Sequence, residues 1–260
     1  EILFYTHILV LHRRRIIMKQ TALITGASRG IGAALAETFA RAGYQLTLCC
    51  QHSEGKLMEL VQRLQEQYHT TVLVRIGDVG DYTFVKAMVD ETLEAFGAID
   101  VLINNAGISY IGLLTDMSIE DWNRIVATNL TSVFSTCRCV VPSMVHNKRG
   151  RIINISSVWG NVGASCEVAY SACKGGINSF TRALGKELAP SQITVNAIAC
   201  GVIDTDMNRC FSEEERADLI AEIPAERMGR PEEVAELALS IASGHAYLNG
   251  QIITLDGGWI

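Results

Sequence analysis

Seven short apolar runs, separated by stretches with helical periodicity, constrain the fold of this chain more than any other feature of its sequence. The runs are mostly continuous rather than alternating in polarity, which is typical of parallel strands buried on both faces. Strands that alternate with helices build βαβ units within one doubly wound sheet. The predicted strands are residues 22–25, 45–50, 72–76, 101–103, 151–156, 194–199 and 251–254.

Helical patterns fill the segments between these runs, and no low-complexity tract or linker divides the chain. The sequence therefore predicts one domain, residues 18–260. We expect a single Rossmann-type α/β domain, in which helices flank a doubly wound, seven-stranded and mostly parallel sheet. The predicted helices are residues 33–42, 57–68, 84–96, 122–146, 171–188 and 232–242.

Residues 1–17 need a separate explanation. They are apolar and then basic, which reverses the order found in a secretory signal, and their apolar run is too short to span a bilayer. We expect Met18 to be the natural start and residues 1–17 to be a non-native or disordered leader. The alternative is an anchor that lies on a membrane surface.

Composition excludes several classes of partner. A net charge of −6 provides no basic field for nucleic acid. The eight cysteines lack the paired spacing of a zinc site and give no sign of a disulfide framework. We expect no metal, no nucleic acid and no membrane partner, and we expect reduced, buried thiols in a cytoplasmic enzyme.

The first predicted strand leads into a glycine-rich turn, which a predicted helix follows. Glycines at Gly26, Gly30 and Gly32 permit a tight turn and let the backbone approach a pyrophosphate closely. The N-terminus of the helix would present free N–H groups to that phosphate. A plain strand-to-helix turn is the alternative, but the position after the first strand favours a dinucleotide site.

The end of the second strand discriminates between NAD and NADP. An acidic residue there would bond the ribose 2′-hydroxyl of NAD and repel a 2′-phosphate. Gln51, His52 and Ser53 stand there instead, and the first carboxylate is Glu54. Arg29, in the glycine turn, can supply positive charge to a 2′-phosphate. We therefore expect NADP(H); the alternative is that Arg29 and His52 are ordinary surface residues.

Two further loops follow predicted strands. Asp78, after the third strand, could accept a hydrogen bond from an adenine amino group. Residues 104–107, Asn-Asn-Ala-Gly, follow the fourth strand and would let the backbone contact a cofactor. Each loop taken alone is equally well explained as turn chemistry.

Ser157, Tyr170 and Lys174 form a candidate catalytic set. Tyr170 and Lys174 are four residues apart at the start of a predicted helix and therefore share one face. An ammonium beside a phenol favours the phenolate and makes tyrosine a usable acid or base. Ser157 lies just past the fifth strand, where its hydroxyl could hold a substrate oxygen.

Together with the glycine turn and residues 104–107, this set makes the chain resemble the short-chain dehydrogenase/reductase family from Met18 onward. The resemblance implies a catalytic tetrad in which Asn129 joins Ser157, Tyr170 and Lys174 and holds a proton-relay water. It selects Ser157 over the adjacent Ser156 by its spacing to Tyr170. It also implies that Lys174 bonds the nicotinamide ribose and that residues 201–207 form the loop over the nicotinamide. The expected cofactor contacts are Gly26, Ser28, Arg29, Gly30, Ile31, Gly32, Gln51, Asp78, Val79, Asn105, Ala106, Gly107, Tyr170, Lys174, Gly201, Ile203 and Thr205.

Within the family, the sequence most resembles the 3-oxoacyl-acyl-carrier-protein reductases. Three residues depart from that group. Cys200 replaces the proline usual before Gly201, and Ser191 stands where an arginine usually docks the acidic carrier, although Lys148 and Arg149 remain nearby. Glu167 is a carboxylate where glutamine is common, and it could disfavour an anionic ligand.

The sequence thus predicts an NADP(H)-dependent oxidoreductase, with reduction of a 3-oxoacyl thioester as the first substrate hypothesis and acyl carrier protein as a possible partner. The alternatives are a hydroxysteroid or bile-acid dehydrogenase, a sugar or polyol dehydrogenase, and, from another class, a non-catalytic NADP-binding sensor. The resemblance also implies a homotetramer, with residues 122–146, residues 171–188 and the last strand at its interfaces.

Overall fold

Each apolar run predicted as a strand contributes one strand to a sheet. The strands are β1 (Thr21–Ile24), β2 (Gln45–Cys50), β3 (Val72–Ile76), β4 (Val101–Asn104), β5 (Gly150–Ser157), β6 (Ile193–Cys200) and β7 (Ile252–Leu255). This computed structural model describes residues 19–208, 212–244 and 246–260, and within them the strand order is β3-β2-β1-β4-β5-β6-β7. All neighbouring strands are parallel. The predicted doubly wound sheet is confirmed, and residues 1–17 lie outside the described part of the chain.

Helices connect the strands, and most of them were predicted. They are α1 (Gly30–Arg41), α2 (Glu54–Tyr68), α3 (Tyr82–Phe96), α4 (Ile119–Val126), α5 (Ser132–Asn147), α6 (Trp159–Val162), α7 (Val168–Leu188), α8 (Glu213–Glu222) and α9 (Pro231–Gly244). The predicted helix over residues 122–146 is helical throughout, but it contains a π-helical turn, Ala127–Thr131, that divides it into α4 and α5. The sequence did not indicate α8, which buries no residue and begins with a capping box at Ser212 and Glu215.

The core lies on both faces of the sheet. On one face, α1, α2 and α9 pack against it through side chains such as Phe39, Leu64 and Ile241. On the other face, α3, α5 and α7 pack through side chains such as Met88 and Ile177. Because both faces are covered, β1 is buried at every residue, which explains why the strands lack alternation.

The order of the strands positions the site. From β1, the sheet continues through β2 in one direction and through β4 in the other. The chain connections that leave these strands therefore run to opposite sides and separate at β1. A ligand crevice is expected there, outside the carboxyl ends of the strands. Among the described residues, the helices are too short or too polar to cross a membrane.

Candidate active site

In the glycine turn, the backbone at Gly32 passes very close to the backbone at Gly26. Gly26 has φ +66° and Gly30 has φ +52°, a region that favours glycine. A Cβ at Gly32 would stand 2.0 Å from the carbonyl oxygen of Gly26. Helix α1 begins at Gly30, three residues before its predicted start, and no side chain caps it at Arg29. Its first N–H groups are therefore presented at the end of β1, as an anion site requires.

Asn105 fixes the loop after β4 to this turn. Its side-chain amide donates to the carbonyl oxygens of Thr25 at 2.9 Å and Gly26 at 3.0 Å. The backbone N–H groups of Asn105 and Ala106 both donate to the Thr25 hydroxyl at 3.0 Å. Asn105, predicted as a cofactor contact, thus also holds the glycine turn in place.

The end of β2 and the loop after β3 lie beside the turn. Gln51 and His52 are exposed there, and Val79 is buried. The Asp78 carboxylate accepts a hydrogen bond from the N–H of Gly80 at 2.8 Å. This bond holds the carboxylate in place at the wall of the crevice.

Two cations and one carboxylate meet at this end of the crevice. The Oδ2 of Asp206 is 3.9 Å from Arg29 Nη1 and 3.5 Å from Lys56 Nζ. Sequence reasoning singled out Arg29 but missed Lys56 and Asp206. The place of Lys56 in the first turn after β2 could have been noticed, whereas Asp206 reaches Arg29 only through the fold.

Ser157 and Tyr170 converge at the opposite end. Ser157 is the last residue of β5, and its Oγ accepts a hydrogen bond from the N–H of Trp159 at 3.2 Å. Tyr170 lies in the first turn of α7, close enough to Ser157 for that side chain to lower the pKa of the phenol. The adjacent Ser156 instead donates to the side chain of Asn178 at 2.6 Å. The geometry therefore brings Ser157, rather than Ser156, to the phenol.

Lys174 lies one turn beyond Tyr170 and is buried. Its Nζ donates to the carbonyl oxygen of Ile155 at 2.8 Å and lies 5.3 Å from the centroid of the Tyr170 ring. Burial lowers the pKa of Lys174 to about 8. Burial likewise raises the pKa of Tyr170 above its usual value, reinforced by the nearby Cys200 and Glu167. The expectation that Lys174 favours the phenolate stays a prediction, since burial is the main cause of the raised pKa of Tyr170 in this structure.

Asn129 stands behind the cavity wall. It is fully buried in the π-helical turn, where its Oδ1 accepts from the N–H of Ile108 at 2.9 Å and its Nδ2 donates to the carbonyl of Ile108 at 2.8 Å. A Cβ at Gly107 would stand 2.9 Å from that Oδ1 and 3.7 Å from Lys174 Nζ. Gly107 thus leaves room between the amide and the ammonium.

The loop after β6 covers the glycine turn. A Cβ at Gly30 would stand 3.2 Å from the Thr205 side chain, so the two segments are in close contact. Ile203 is buried and pairs with Gly229, and the N–H of Gly201 donates to Leu255 at 2.9 Å. Cys200 remains in β6 beside Ser157, and burial raises the pKa of its thiol to about 12.

Two tryptophans and an acid form the end of the crevice beyond Tyr170. The rings of Trp159 and Trp259 are 5.0 Å apart between centroids, at 62°. The side chain of Trp159 lowers the pKa of the nearby Glu167 carboxyl, but burial has the larger effect and raises that pKa above its usual value. Sequence reasoning named Glu167 as a departure but missed both tryptophans.

Most of these groups line one cavity of about 610 Å³, a volume typical of small-molecule sites, whereas Lys56 and Asn129 lie outside its wall. Of the residues predicted as catalytic or cofactor-binding, all but Asn129 lie in its wall. Within the described residues, no group of three His, Cys, Asp or Glu side chains is placed to hold a metal ion.

Comparison with known proteins agrees with this geometry. The family model described as short chain dehydrogenase matches residues 20–216. The uncharacterized oxidoreductase YmfI of Bacillus subtilis strain 168 is 38% identical over 243 residues, covering 93% of this chain and 99% of that protein.

Relatives whose names state an activity have a similar sequence identity to this chain. The 3-oxoacyl-acyl-carrier-protein reductase FabG of Chlamydia trachomatis is 38% identical over 244 residues, covering 94% of this chain and 98% of its own. FabG of Escherichia coli K12 is 37% identical over 238 residues, covering 91% and 96% respectively. The predicted likeness to 3-oxoacyl-acyl-carrier-protein reductases is confirmed. With a family match over most of its length and full-length relatives at this identity, the chain belongs to the short-chain dehydrogenase/reductase family.

Proposed function

We propose that this protein is an NADP(H)-dependent reductase that converts the keto group of a 3-oxoacyl thioester to a secondary alcohol. Membership of the family already makes it an oxidoreductase that acts on carbonyl or CH–OH groups with a nicotinamide cofactor. The observation that supports the proposal most is the convergence of Ser157, Tyr170 and Lys174 at the end of the cavity opposite Arg29.

The residues present fit a dinucleotide. A Cβ at Gly32 would clash with the Gly26 carbonyl, so only glycine lets the turn pass this close to the start of α1, whose free N–H groups suit a pyrophosphate. Gln51, Asp78 and Val79 would hold the adenosine, and residues 105–107 would hold the middle of the cofactor. Arg29 and Lys56 favour NADP(H), because two cations at this end match the charge of a 2′-phosphate.

Ser157 and Tyr170 act on the carbonyl oxygen. A bound reduced nicotinamide supplies hydride to the carbonyl carbon. The Ser157 hydroxyl donates a hydrogen bond to the oxygen, and the Tyr170 hydroxyl gives up its proton as that oxygen gains negative charge. The raised pKa of Tyr170 keeps the phenol protonated at neutral pH, which suits a proton donor in the reductive direction.

Lys174 and Asn129 return the proton to Tyr170. The pKa of Lys174, about 8, leaves most of its amine charged at neutral pH but able to exchange a proton. Lys174 would also bond the nicotinamide ribose. Asn129, held through both polar groups of its amide by Ile108, would position a relay water near the ammonium.

Two relatives are named for 3-oxoacyl-acyl-carrier-protein reduction, which supports the thioester as substrate. Docking of an acidic carrier has weaker support. Ser191 provides no charge, and Arg149 already pairs with Asp100 at 2.5 Å. Lys148, the C-cap residue of α5, is the other cation that the sequence offered for docking the carrier.

The α4–α5 surface supports self-association, for which we propose a homotetramer. Phe134 is 50% exposed and Ile119 is 70% exposed, although both are large and apolar. Trp122 is also exposed on this surface, and a second copy of the chain would cover such a patch. Size determination of the purified protein against a Phe134→Glu variant tests this assembly.

A substrate panel tests the function. Purified protein is mixed with NADPH, and separately with NADH, against acetoacetyl-coenzyme A, a diketone, a ketosugar and an oxo-steroid. Rapid NADPH oxidation with the thioester alone supports the proposal. Turnover only with the steroid or the sugar reassigns the protein to those dehydrogenase classes. NADPH binding without turnover of any of them would favour the sensor hypothesis.

A further inference from the structure

Glu167 occupies an unusual position at the start of α7. It is the N-cap residue, yet its side chain makes no capping hydrogen bond. Instead the half-buried carboxylate lines the cavity. Glu167 immediately precedes α7 and lines the same cavity as Tyr170, which follows it three residues later in the chain. The carboxylate is therefore a neighbour of the proton-donating phenol.

The backbone around Glu167 is held on several sides. The N–H of Ser171 donates to the Glu167 carbonyl at 2.9 Å, and the Ser171 hydroxyl accepts from the N–H of Ala164 at 3.0 Å. The N–H of Gly112 donates to the carbonyl of Cys166 at 2.9 Å. The Glu167 carboxylate thus extends into the cavity from a loop whose backbone is held by hydrogen bonds.

The charge of Glu167 has no cationic partner among the described residues. The polar neighbour that acts on its pKa is Trp159, whose indole N–H is a neutral donor. Of the cations in the cavity wall, Arg29 pairs with Asp206 at the far end, and Lys174 donates to Ile155 two turns further along α7. Burying a carboxylate with a single neutral donor is unfavourable, and burial accordingly raises the pKa of Glu167.

We infer that Glu167, Trp159 and Trp259 form a subsite for a positively charged group, so that the carbonyl substrate carries an ammonium a short chain away from the carbon that is reduced. A carboxylate beside the faces and edges of aromatic rings is the combination that recognises ammonium groups. The same carboxylate repels substrates with an anionic end. The inference rests on the proposed carbonyl reduction at Tyr170 and narrows its substrates, since an acyl chain without a cation would leave Glu167 unpaired.

The test compares three methyl ketones of matched length with the full chain and NADPH. One ends in a trimethylammonium group, one in the isosteric tert-butyl group and one in a carboxylate. We expect kcat/KM for the cationic ketone to exceed that for the neutral one by about tenfold or more, as charge and cation–π contacts in a partly dry site provide. The anionic ketone should be the poorest substrate. Glu167→Gln should bring the cationic-to-neutral ratio close to one.

Glu94→Gln, on the exposed surface of α3, is the matched control and should keep the parent ratio. An unchanged ratio in Glu167→Gln would overturn the subsite. The second readout is binding of the non-reactive trimethylammonium alcohol without NADPH, followed by tryptophan fluorescence. Binding that depends on Glu167, without turnover of any ketone or of acetoacetyl-coenzyme A, would support the subsite and contradict the proposed function. Equal turnover of all three ketones, with no such binding, would overturn the subsite alone.

Discussion

The Lys174 ammonium lies 5.3 Å from the centroid of the Tyr170 ring, and it donates a hydrogen bond to the carbonyl of Ile155 at 2.8 Å. The lysine is thus tied to the end of β5, the strand that also positions Ser157. Burial lowers the pKa of the ammonium, and burial of the neighbouring phenol raises the pKa of Tyr170, which therefore keeps its proton at neutral pH. The arrangement suits a donor of protons better than a permanent phenolate.

Replacement of Tyr170 by phenylalanine tests the proton donor. We expect Tyr170→Phe to lower kcat by at least about a hundredfold, the range in which general acid catalysis contributes. NADPH affinity should stay close to the parent value, since the ring and its packing remain. Tyr82→Phe, at a half-exposed tyrosine on α3, serves as the control. Steady-state turnover and a fluorescence titration measure the two effects, and turnover within tenfold of the parent would exclude this role.

Lys174→Met tests the buried ammonium through stability. Lysine in the unfolded chain keeps its proton up to a pH near 10.5, whereas Lys174 in the folded chain loses it near 8. Between these values unfolding takes up a proton, so the free energy of unfolding of the parent should rise with pH relative to that of the methionine variant. The total gain corresponds to roughly 3 kcal/mol.

Urea unfolding of both proteins at intervals from pH 7 to above pH 10 provides the measurement. Below pH 8 the difference between them should be constant. Parallel curves over the whole range would show that Lys174 is not desolvated in solution.

Arg29→Gln and Lys56→Gln test the choice of cofactor. Each should weaken NADPH binding by about tenfold, the loss expected for a charged hydrogen bond to phosphate. NADH binding should change little, because NADH lacks the 2′-phosphate. Arg63→Gln on the exposed side of α2, which removes a cation paired with Glu37, is the control. Equal losses for both cofactors would contradict a role at the 2′-phosphate.

Gly32→Ala tests the shape of the glycine turn. The new Cβ would stand 2.0 Å from the Gly26 carbonyl oxygen, so the turn must shift. We expect a lower melting temperature and weaker binding of both NADPH and NADH. Gly55→Ala is the opposite control, since a Cβ there meets nothing within 4 Å inside α2. It should stabilise the fold by roughly 0.5–1 kcal/mol. Calorimetry that finds the two variants equally stable would contradict this reading.

The fold was largely predictable because continuous apolar runs permit few arrangements. The bounds of β2 and β3 agree with the prediction, and those of the other strands differ by one residue. Helix α8 escaped prediction because its stability comes from a local capping box at Ser212 rather than from an apolar face. The π turn escaped because no propensity distinguishes it from a regular helix.

The site was predictable where chemistry and chain position coincide, as at Ser157, Tyr170 and Lys174. It was not predictable where distant segments meet. Asp206 comes between Arg29 and Lys56 only because the loop after β6 folds over the glycine turn. Trp259 likewise reaches Trp159 from the far end of the chain. Such contacts depend on loop conformation, which the apolar pattern does not encode.

The π-helical turn at residues 127–131 joins α4 directly to α5 and sets the rotation of one helix relative to the other. Helix α4 packs against α7, with Ile125 beside Ala169 and Cys173, whereas α5 packs against α3. Each residue of a helix turns the chain by about 100°, so deleting one residue here would rotate α4 by that angle relative to α5. Asn129 would then lose Ile108 as its partner. The alignment of the site with the sheet therefore depends on the number of residues in this turn as well as on their identity.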